Sequence, residues 1–541
     1  MTLRNPWTQV IPALLCAAAA ASGQSPVNQV FQFMQSGDYS AWADGARSKA
    51  TAYLWIPEKS KRLRGLLILG QNVPEHRLAG HPAIREVCAR NDLGIVWITP
   101  TFWRRTGTEN EPEKIVAFLQ QLLDGLAKVS GYDEVATVPW LPMGESMHLM
   151  MVDALVEAAP ERCIAGIWIK NTHFPPKNRT TPALITHGTA QEWTQDKADL
   201  RERWKDVSPY ESVLAQRKDN PAWPVSFVID GHSGHFECSE RLVRYFAHYI
   251  DRMAKARLSK DGSMALRPLS LDRGYVADLP VPGHEKHPAI AYAKAAKDQR
   301  GLPWYSDGAG AREAQSFAAI NWNAESQLPA FADAGGSIAP FTHNGISDLT
   351  PEMEEDGITF TLRPVMLERI PGNFADAGEP LARASGTPSM EWLCGPVSPL
   401  GNDRFQIALD RSFPQSPVFL AARQGGTDSI RAAVQPVSIN LRRNREGKAQ
   451  SITFPPIADV TAGTRSIPLA ARADSGLPVG FFVVAGPAMV QGGMLVFTKL
   501  PPRTRLPVTV TVAAWQWGRS AEPKIQEAVM VKRTFRIVAA R

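Results

Sequence analysis

The chain has 541 residues, of which 44% are hydrophobic and 21% charged, and its formal net charge at pH 7 is +6. This length exceeds what one hydrophobic core organises, so we expect two to four domains. The composition excludes a fibrous or wholly disordered chain. The small positive charge is spread along the sequence without a dense Lys/Arg block, which argues against a nucleic-acid partner.

The first 23 residues have the features of a secretory signal peptide. Arg4 gives a positive start, residues 10–21 are apolar, and residues 21–23 are small enough for cleavage. The apolar stretch is too short for a good membrane anchor, and Cys16 lacks the small preceding residue of a lipoprotein signal. We therefore expect a secreted or periplasmic protein of the bacterial type without a transmembrane anchor.

Between about residues 51 and 258, segments typical of strands and of helices alternate. Continuous apolar runs predict buried strands at 65–69 and 94–98. Apolar residues at helical spacing predict a helix over 111–129. The same patterns predict further strands at 52–56, 135–141, 164–169, 183–186 and 225–230, and helices at 81–90, from 147 and at 239–258. Such alternation predicts a mostly parallel sheet with helices on both faces.

The remaining sequence changes character twice. Residues 259–349 are rich in Pro, Gly, Asp and Ala, and we expect an irregular linker or wrap there. Beyond them, short β runs between turn signals predict a β-rich domain over 350–449 and a β-sandwich over 450–541. With the signal peptide at 1–23 and the α/β domain at 24–258, these segments give the expected domain organisation.

Three motifs in the last ninety residues resemble a bacterial Ig-like module of the kind repeated in large surface proteins. They are Ile-Thr-Phe-Pro-Pro-Ile at 452–457, Ser-Gly-Leu-Pro-Val at 475–479 and Ala-Trp-Gln-Trp-Gly at 514–518. The resemblance implies a non-catalytic accessory domain. It also suggests association with a cell surface or with polysaccharide through the C-terminal β modules.

The motif with the clearest chemical meaning is Gly-Glu-Ser-Met-His at residues 144–148. It resembles the nucleophile elbow G-x-S-x-G of the α/β-hydrolase superfamily, in which a strained strand–turn–helix presents a serine at the top of the sheet. This resemblance covers about residues 50 to 258 and implies Ser146 as nucleophile; a helix N-cap is the alternative role. We expect Glu145 to face solvent or the pocket rim. His148 stands where the family has glycine, and we expect it on the surface or the pocket wall.

The family places its histidine last, after the final strand and before a long helix. Here the predicted strand at 225–230 leads into Gly-His-Ser-Gly-His-Phe at 231–236. The resemblance implies His235 as the base, with His232 as the alternative. Their His-x-x-His spacing also allows a metal pair, but no third ligand is suggested nearby, so we expect no metal and no cofactor.

The triad acid and the oxyanion hole follow from the same resemblance. The acid is expected after the strand at 183–186, where Glu192 is the first candidate and Asp196 a further one. Glu192 lies one residue beyond the usual position of the family. For the oxyanion hole we expect the amide of Met147 and one from the loop after residue 69, at Gln71 or Asn72.

A serine hydroxyl becomes nucleophilic when an imidazole takes its proton and a carboxylate orients that imidazole. The sequence therefore predicts a secreted carboxylic ester hydrolase that forms an acyl-enzyme on Ser146. Its substrate would be a small-molecule ester or an acylated extracellular polymer. His148, the displaced acid, and prolines 139 and 142 beside a central strand favour an alternative, a non-catalytic surface or carbohydrate-binding protein on a degenerate hydrolase scaffold. A serine peptidase of the same fold is a third hypothesis.

Four cysteines remain once the signal peptide is removed: Cys88, Cys163, Cys238 and Cys394. Export permits disulfides. The spacings match no zinc pattern and leave the pairing open, with buried free thiols as the alternative.

Overall fold

The computed structural model describes residues 30–40, 47–100, 111–170, 178–190, 209–259, 263–284, 287–333, 335–342, 345–372, 374–414 and 417–540. The predicted signal peptide lies outside these residues. Within them, no helix combines the length and the apolar character needed to cross a membrane.

An eight-stranded sheet organises the N-terminal part of the chain. Its strands are β1 (Phe33–Ser40), β2 (Arg47–Trp55), β3 (Gly65–Leu69), β4 (Leu93–Thr99), β5 (Trp140–Glu145), β6 (Gly166–Ile169), β7 (Ala183–Ala190) and β8 (Val225–Gly234). They lie in the order β1-β2-β4-β3-β5-β6-β7-β8. β2 is antiparallel to both of its neighbours, whereas the strands from β4 to β8 are parallel.

The described helices of eight or more residues flank this sheet or follow it. They are α1 (Val73–Gly80), α2 (Pro82–Arg90), α3 (Pro112–Ser130), α4 (Leu149–Ala158), α5 (Pro209–Asp219), α6 (Glu240–Arg257) and α7 (Gly308–Ala318). α3 packs with α4, and α2 packs with α6. A mostly parallel sheet covered by two groups of helices, with a strand–turn–helix at its centre, is an α/β-hydrolase-type fold. The predicted fold class is confirmed.

Local patterns predicted several of these elements well. Every residue of β3 and of β4 is buried, as their apolar runs indicated. α3 ends at Ser130, and the next residue, Gly131, has a φ of +81° that suits glycine. The prediction for residues 135–141 is wrong in its first half, because Asp133–Ala136 forms a 3-10 turn and β5 begins at Trp140. Val135 is buried within that turn, so its apolar character reflects packing and not strand structure.

The segment expected to be an irregular wrap contains more structure than its composition predicted. It forms α7, a small sheet of β9 (Tyr275–Val276), β10 (Ile290–Ala291) and β11 (Trp304–Tyr305), then β12 (Pro329–Ala332) and β13 (Ser347–Leu349). Ser226 Oγ donates to the carbonyl oxygen of Trp304 at 2.7 Å, and Tyr305 Oη donates to that of Phe227 at 2.8 Å. These bonds attach the segment to β8.

A β-rich region follows. Its strands are β14 (Thr359–Thr361), β15 (Arg363–Met366), β16 (Ser389–Cys394), β17 (Val397–Gly401), β18 (Arg404–Ile407), β19 (Val418–Gln424) and β20 (Ala433–Ile439). One sheet has the order β13-β20-β19-β16, a second has β14-β18-β17, and β12 pairs with β15. Phe331, Phe360, Leu420 and Val437 belong to the core they share.

The last ninety residues form a β-sandwich. The strands are β21 (Ile452–Thr453), β22 (Val460–Thr461), β23 (Ser466–Pro468), β24 (Arg472–Ala473), β25 (Gly480–Ala485), β26 (Ala488–Gln491), β27 (Met494–Phe497), β28 (Val508–Trp515) and β29 (Val531–Val538). The sheets β22-β29-β28-β25 and β23-β27-β26 share an apolar core that includes Leu495, Val510 and Phe535. The predicted all-β module is therefore present, while its Ig-like character and the expected domain boundaries stay predictions.

The four cysteines in the described part of the chain are not cross-linked. Cys88, Cys163, Cys238 and Cys394 are all buried free thiols. Of the two alternatives, the structure favours buried thiols.

Candidate active site

Ser146 directly follows β5 and is the first residue of a 3-10 turn, Ser146–His148. This turn leads into α4. Its φ is +52°, a left-handed value that is strained for a residue other than glycine. A Cβ atom at Gly144 would lie 2.6 Å from the carbonyl oxygen of His148, so only glycine fits there. The strand, the strained serine and the closely packed helix together form the geometry of a nucleophile elbow.

His235 reaches this serine from the end of β8. Its Nε2 atom lies 2.9 Å from Ser146 Oγ, within the range for direct proton transfer. The imidazole is buried, and its ring meets that of Phe236 edge to face at 4.6 Å. The structure thus brings together two predicted residues that are 89 positions apart in the sequence.

The acid candidates Glu192 and Asp196 lie outside the described residues. β7 ends at Ala190, two positions before Glu192, and it is the neighbour of β8 in the sheet. The backbone of His232 lies within β8. Its side chain is outside the described part of the chain.

The predicted oxyanion loop runs beside the elbow. β3 pairs with β5, and Leu69 lies opposite Met143, so Gln71 and Asn72 follow directly at the edge that carries Ser146. The side-chain amide of Asn72 donates to the backbone oxygen of Glu145 at 3.0 Å and also to its carboxylate. The side-chain oxygen of Gln71 accepts a hydrogen bond from Thr99. Both side chains fix the loop, so the oxyanion donor predicted here is a backbone amide.

Met147 follows Ser146 directly, and 49% of its surface is exposed. Its backbone amide is the other predicted oxyanion donor. The exposed thioether gives the elbow an apolar surface beside the nucleophile.

Glu145 is the main correction to the predicted site. It was expected to face solvent or the pocket rim, but it is fully buried. Its Oε1 atom lies 3.2 Å from His235 Nε2, the same atom that Ser146 Oγ approaches. Glu145 Oε1 and Ser146 Oγ therefore both lie within hydrogen-bonding distance of the same imidazole nitrogen.

His148 is the second correction, because it is buried and does not lie on the open surface; a place on the pocket wall stays a prediction. Its Nδ1 atom lies 3.6 Å from Oε1 of Glu75, a residue of α1. The same Glu75 oxygen accepts the backbone N–H of Glu145 at 2.7 Å. Burial raises the pKa of Glu75 to about 8, so its carboxyl group is protonated at neutral pH. The residue that replaces glycine in the motif therefore belongs to a buried polar contact that supports the elbow.

Pro142 is accommodated by an interruption of the strand pairing. Trp140 of β5 forms an isolated bridge with Cys163, which precedes β6, and regular pairing of β5 with β6 begins at Met143 and Ile167. Pro142 lies in the gap, where the missing N–H removes no ladder bond to β6. The sheet keeps β5 at its centre despite this proline.

Sequence reasoning also missed Lys170, which follows β6 at the carboxyl edge of the sheet. Its side chain is fully buried; Nζ donates to Ser233 Oγ and lies 3.7 Å from Oδ2 of Asp230. Both partners belong to the second half of β8, and His235 directly follows this strand. Lys170 therefore supports the strand end that presents the base. No local sequence signal separates such a lysine from an ordinary solvated one.

Among the described residues, no group of three or more His, Cys, Asp or Glu side chains is placed to hold a metal ion. The described side chains at this edge include the Ser146 hydroxyl, the His235 imidazole, the Lys170 amine and the carboxyl groups of Glu75 and Glu145.

Comparisons with protein-family models and with curated sequences give no match. Among solved structures, the S-formylglutathione hydrolase of Staphylococcus aureus is 12% identical, with a TM-score of 0.26, and the alignment covers 41% of this chain and 99% of that one. A poly(3-hydroxybutyrate) depolymerase from Bordetella parapertussis is 12% identical, with a TM-score of 0.27 and coverages of 43% and 93%. A siderophore hydrolase from Aspergillus nidulans is 10% identical, with a TM-score of 0.29 and coverages of 46% and 98%. Scores and identities this low say nothing about activity or substrate.

Proposed function

We propose that this protein is a secreted serine hydrolase that cleaves carboxylic esters through an acyl-enzyme on Ser146. One observation supports this most: a serine with φ of +52° at a strand–turn–helix has its Oγ 2.9 Å from a buried imidazole nitrogen. An ordinary helix N-cap needs neither the strained backbone nor the histidine.

In the proposed reaction, Ser146 Oγ attacks the ester carbonyl carbon while His235 Nε2 takes the hydroxyl proton. The amides of Met147 and of the Gln71–Asn72 loop donate to the negative carbonyl oxygen of the tetrahedral intermediate. The C–O bond to the alcohol then breaks, and the imidazole returns its proton to the departing oxygen. Water repeats the sequence on the acyl-enzyme, with His235 as base, and releases the carboxylic acid.

Two carboxylates have roles in this proposal. Glu192, or Asp196 in its place, would accept a hydrogen bond from the Nδ1–H group of His235 and so fix the tautomer of the imidazole. Glu145, held by Asn72, lies 3.2 Å from Nε2 and would contact the imidazole while it holds the serine proton. The proposed steps require no metal or cofactor.

The substrate class is proposed from the setting of the site. The predicted signal peptide and the C-terminal β modules favour an ester outside the cytoplasm, either a small molecule or an acylated polymer, and association with a surface or polysaccharide. The exposed Met147 side chain offers an apolar contact to the group beside the ester.

A fluorophosphonate probe tests the proposal, because it reacts with activated serines. The purified mature chain should be labelled, Ser146→Ala should not, and Ser466→Ala, which changes an exposed serine of β23, should react like wild type. Absence of label on wild type, or equal label on Ser146→Ala, would refute it. Rates on short acyl esters and on peptides then separate an esterase from a serine peptidase.

A second candidate is a non-catalytic binding protein on the same scaffold. The carboxylate of Glu145 favours it, since this group competes with Ser146 for His235 Nε2. A folded wild-type chain that resists the probe and turns over no ester would support this candidate. Ester turnover that His235→Ala abolishes would exclude it.

A further inference from the structure

Two loops of the candidate site pack against the β-rich region. Its sheet β13-β20-β19-β16, which we call the docking sheet, shares an apolar cluster with Val73 of α1, and Phe236 packs on the same cluster. Val73 directly follows Asn72 of the oxyanion loop, and Phe236 directly follows His235. The members from the docking sheet are Leu393, Cys394, Ala421 and Val434, with Phe419 packed against them.

Aromatic contacts connect the docking sheet to the base itself. Phe419 of β19 stacks on Phe236 with ring centroids 5.6 Å apart and planes 20° apart. Phe236 in turn meets the His235 imidazole edge to face at 4.6 Å. A shift of Phe419 would therefore reach the imidazole through a single intervening ring.

A buried ion pair reaches the same loop. Arg423, at the end of β19, pairs with Glu237, whose side chain is only 1% exposed. Glu237 Oε1 also accepts the backbone N–H of Gly234 at 3.1 Å. The Arg423 guanidinium thus contacts Glu237, and Glu237 contacts Gly234, the residue before His235.

The oxyanion loop is attached in a similar way. Glu391 of β16 lies 3.1 Å from Arg423 through one carboxylate oxygen and 2.7 Å from Arg77 of α1 through the other. Because α1 begins directly after Asn72, this one carboxylate connects the docking sheet to both loops of the site.

We propose that the docking sheet positions the base of the active site. Phe419 and Arg423 are the positioning residues, and they hold His235 against Ser146. Neither residue touches the reacting atoms; each acts through Phe236 or Glu237. A module attached by a flexible linker would leave the base where the hydrolase-type sheet alone puts it. The catalytic consequence rests on the proposed function, whereas the placement of the loop does not.

The test uses the full chain and the variants Arg423→Met and Phe419→Ala. Hydrogen exchange of the peptide over residues 230–238, read by mass spectrometry, should rise about tenfold or more in both, because local protection depends on these contacts. The matched control is Arg404→Met, which breaks the 2.6 Å pair with Glu354 elsewhere in the β-rich region and should leave this peptide unchanged. Arg423→Lys keeps the charge and should restore part of the protection.

Kinetics then distinguish positioning from a general loss of stability. In chains shown to be folded by circular dichroism, Arg423→Met should lower kcat by on the order of 10-fold to 100-fold with little change in KM, because small displacements of a base are costly. Wild-type exchange over 230–238 in folded Arg423→Met and Phe419→Ala would overturn the inference. If wild type itself takes no probe, the proposed function fails, and the exchange data alone still decide the placement of the loop.

Discussion

The buried Glu75 carboxyl group makes a definite prediction about stability and pH. Burial raises its pKa from an ordinary 4.5 to about 8 in the folded chain. The folded protein therefore holds a proton that the unfolded chain releases above pH 4.5. The contribution of this carboxyl group to the free energy of unfolding is fully present below pH 4.5, and it is lost as the pH rises to about 8. At about 1.4 kcal/mol for each tenfold change in acidity, the loss is at most about 5 kcal/mol.

Glu75→Gln removes this titration but keeps an oxygen that can accept the backbone N–H of Glu145. The free energy of unfolding of wild type should therefore fall between pH 5 and pH 8 more steeply than that of the variant. The difference between the two chains should change by several kcal/mol over this range, and by no more than about 5 kcal/mol. Denaturant melts at both pH values measure this. Glu86→Gln, on the exposed face of α2, is the matched control and should follow wild type. Parallel pH profiles for wild type and Glu75→Gln would refute the reasoning.

Three further substitutions test the framework of the site. Gly144→Ala places a Cβ atom 2.6 Å from a backbone oxygen and should abolish probe labelling, whereas Gly372→Ala, with nothing within 4 Å, should behave like wild type. Lys170→Met leaves Asp230 buried without its cation and should cost about 3–5 kcal/mol in a thermal or denaturant melt; a loss below about 1 kcal/mol would contradict the proposed support of β8. Asn72→Ala removes both hydrogen bonds to Glu145 and should slow labelling by about tenfold, and an unchanged labelling rate would count against the role of this loop.

The elements that the sequence predicted are those whose burial does not depend on one particular packing partner. Any continuous apolar run such as β3 can be buried between helices, and any apolar stripe such as that of α3 can cover a sheet. β1 has no continuous apolar run, and it is held at the sheet edge by pairing with β2 and by the contact of Tyr39 with Phe118 of α3. α1 contains Glu75 and His76, which its own sequence gives no reason to bury. The Asp410 carboxylate that lies 3.3 Å from His76 comes from more than 300 residues away.

The same distinction divides the site. The order of strand, serine and histidine predicted that Ser146 and His235 would meet, because the α/β-hydrolase topology places the ends of β5 and β8 at one edge. The burial of Glu145 and His148 could not be predicted, since their partners lie on α1 and at the end of β8. Docking of the β-rich region on the base is a long-range effect of the same kind, formed by Phe419 and Arg423.

The central claim is that Ser146 forms a covalent acyl intermediate with His235 as its base. Acid-quenched intact mass, taken during hydrolysis of an activated acetate ester, tests this most directly. We predict one acetyl group per chain, located by peptide mapping on Ser146 and lost in both Ser146→Ala and His235→Ala. Hydrolysis at the wild-type rate by Ser146→Ala, with no acetyl group on the wild-type peptide, would contradict the account.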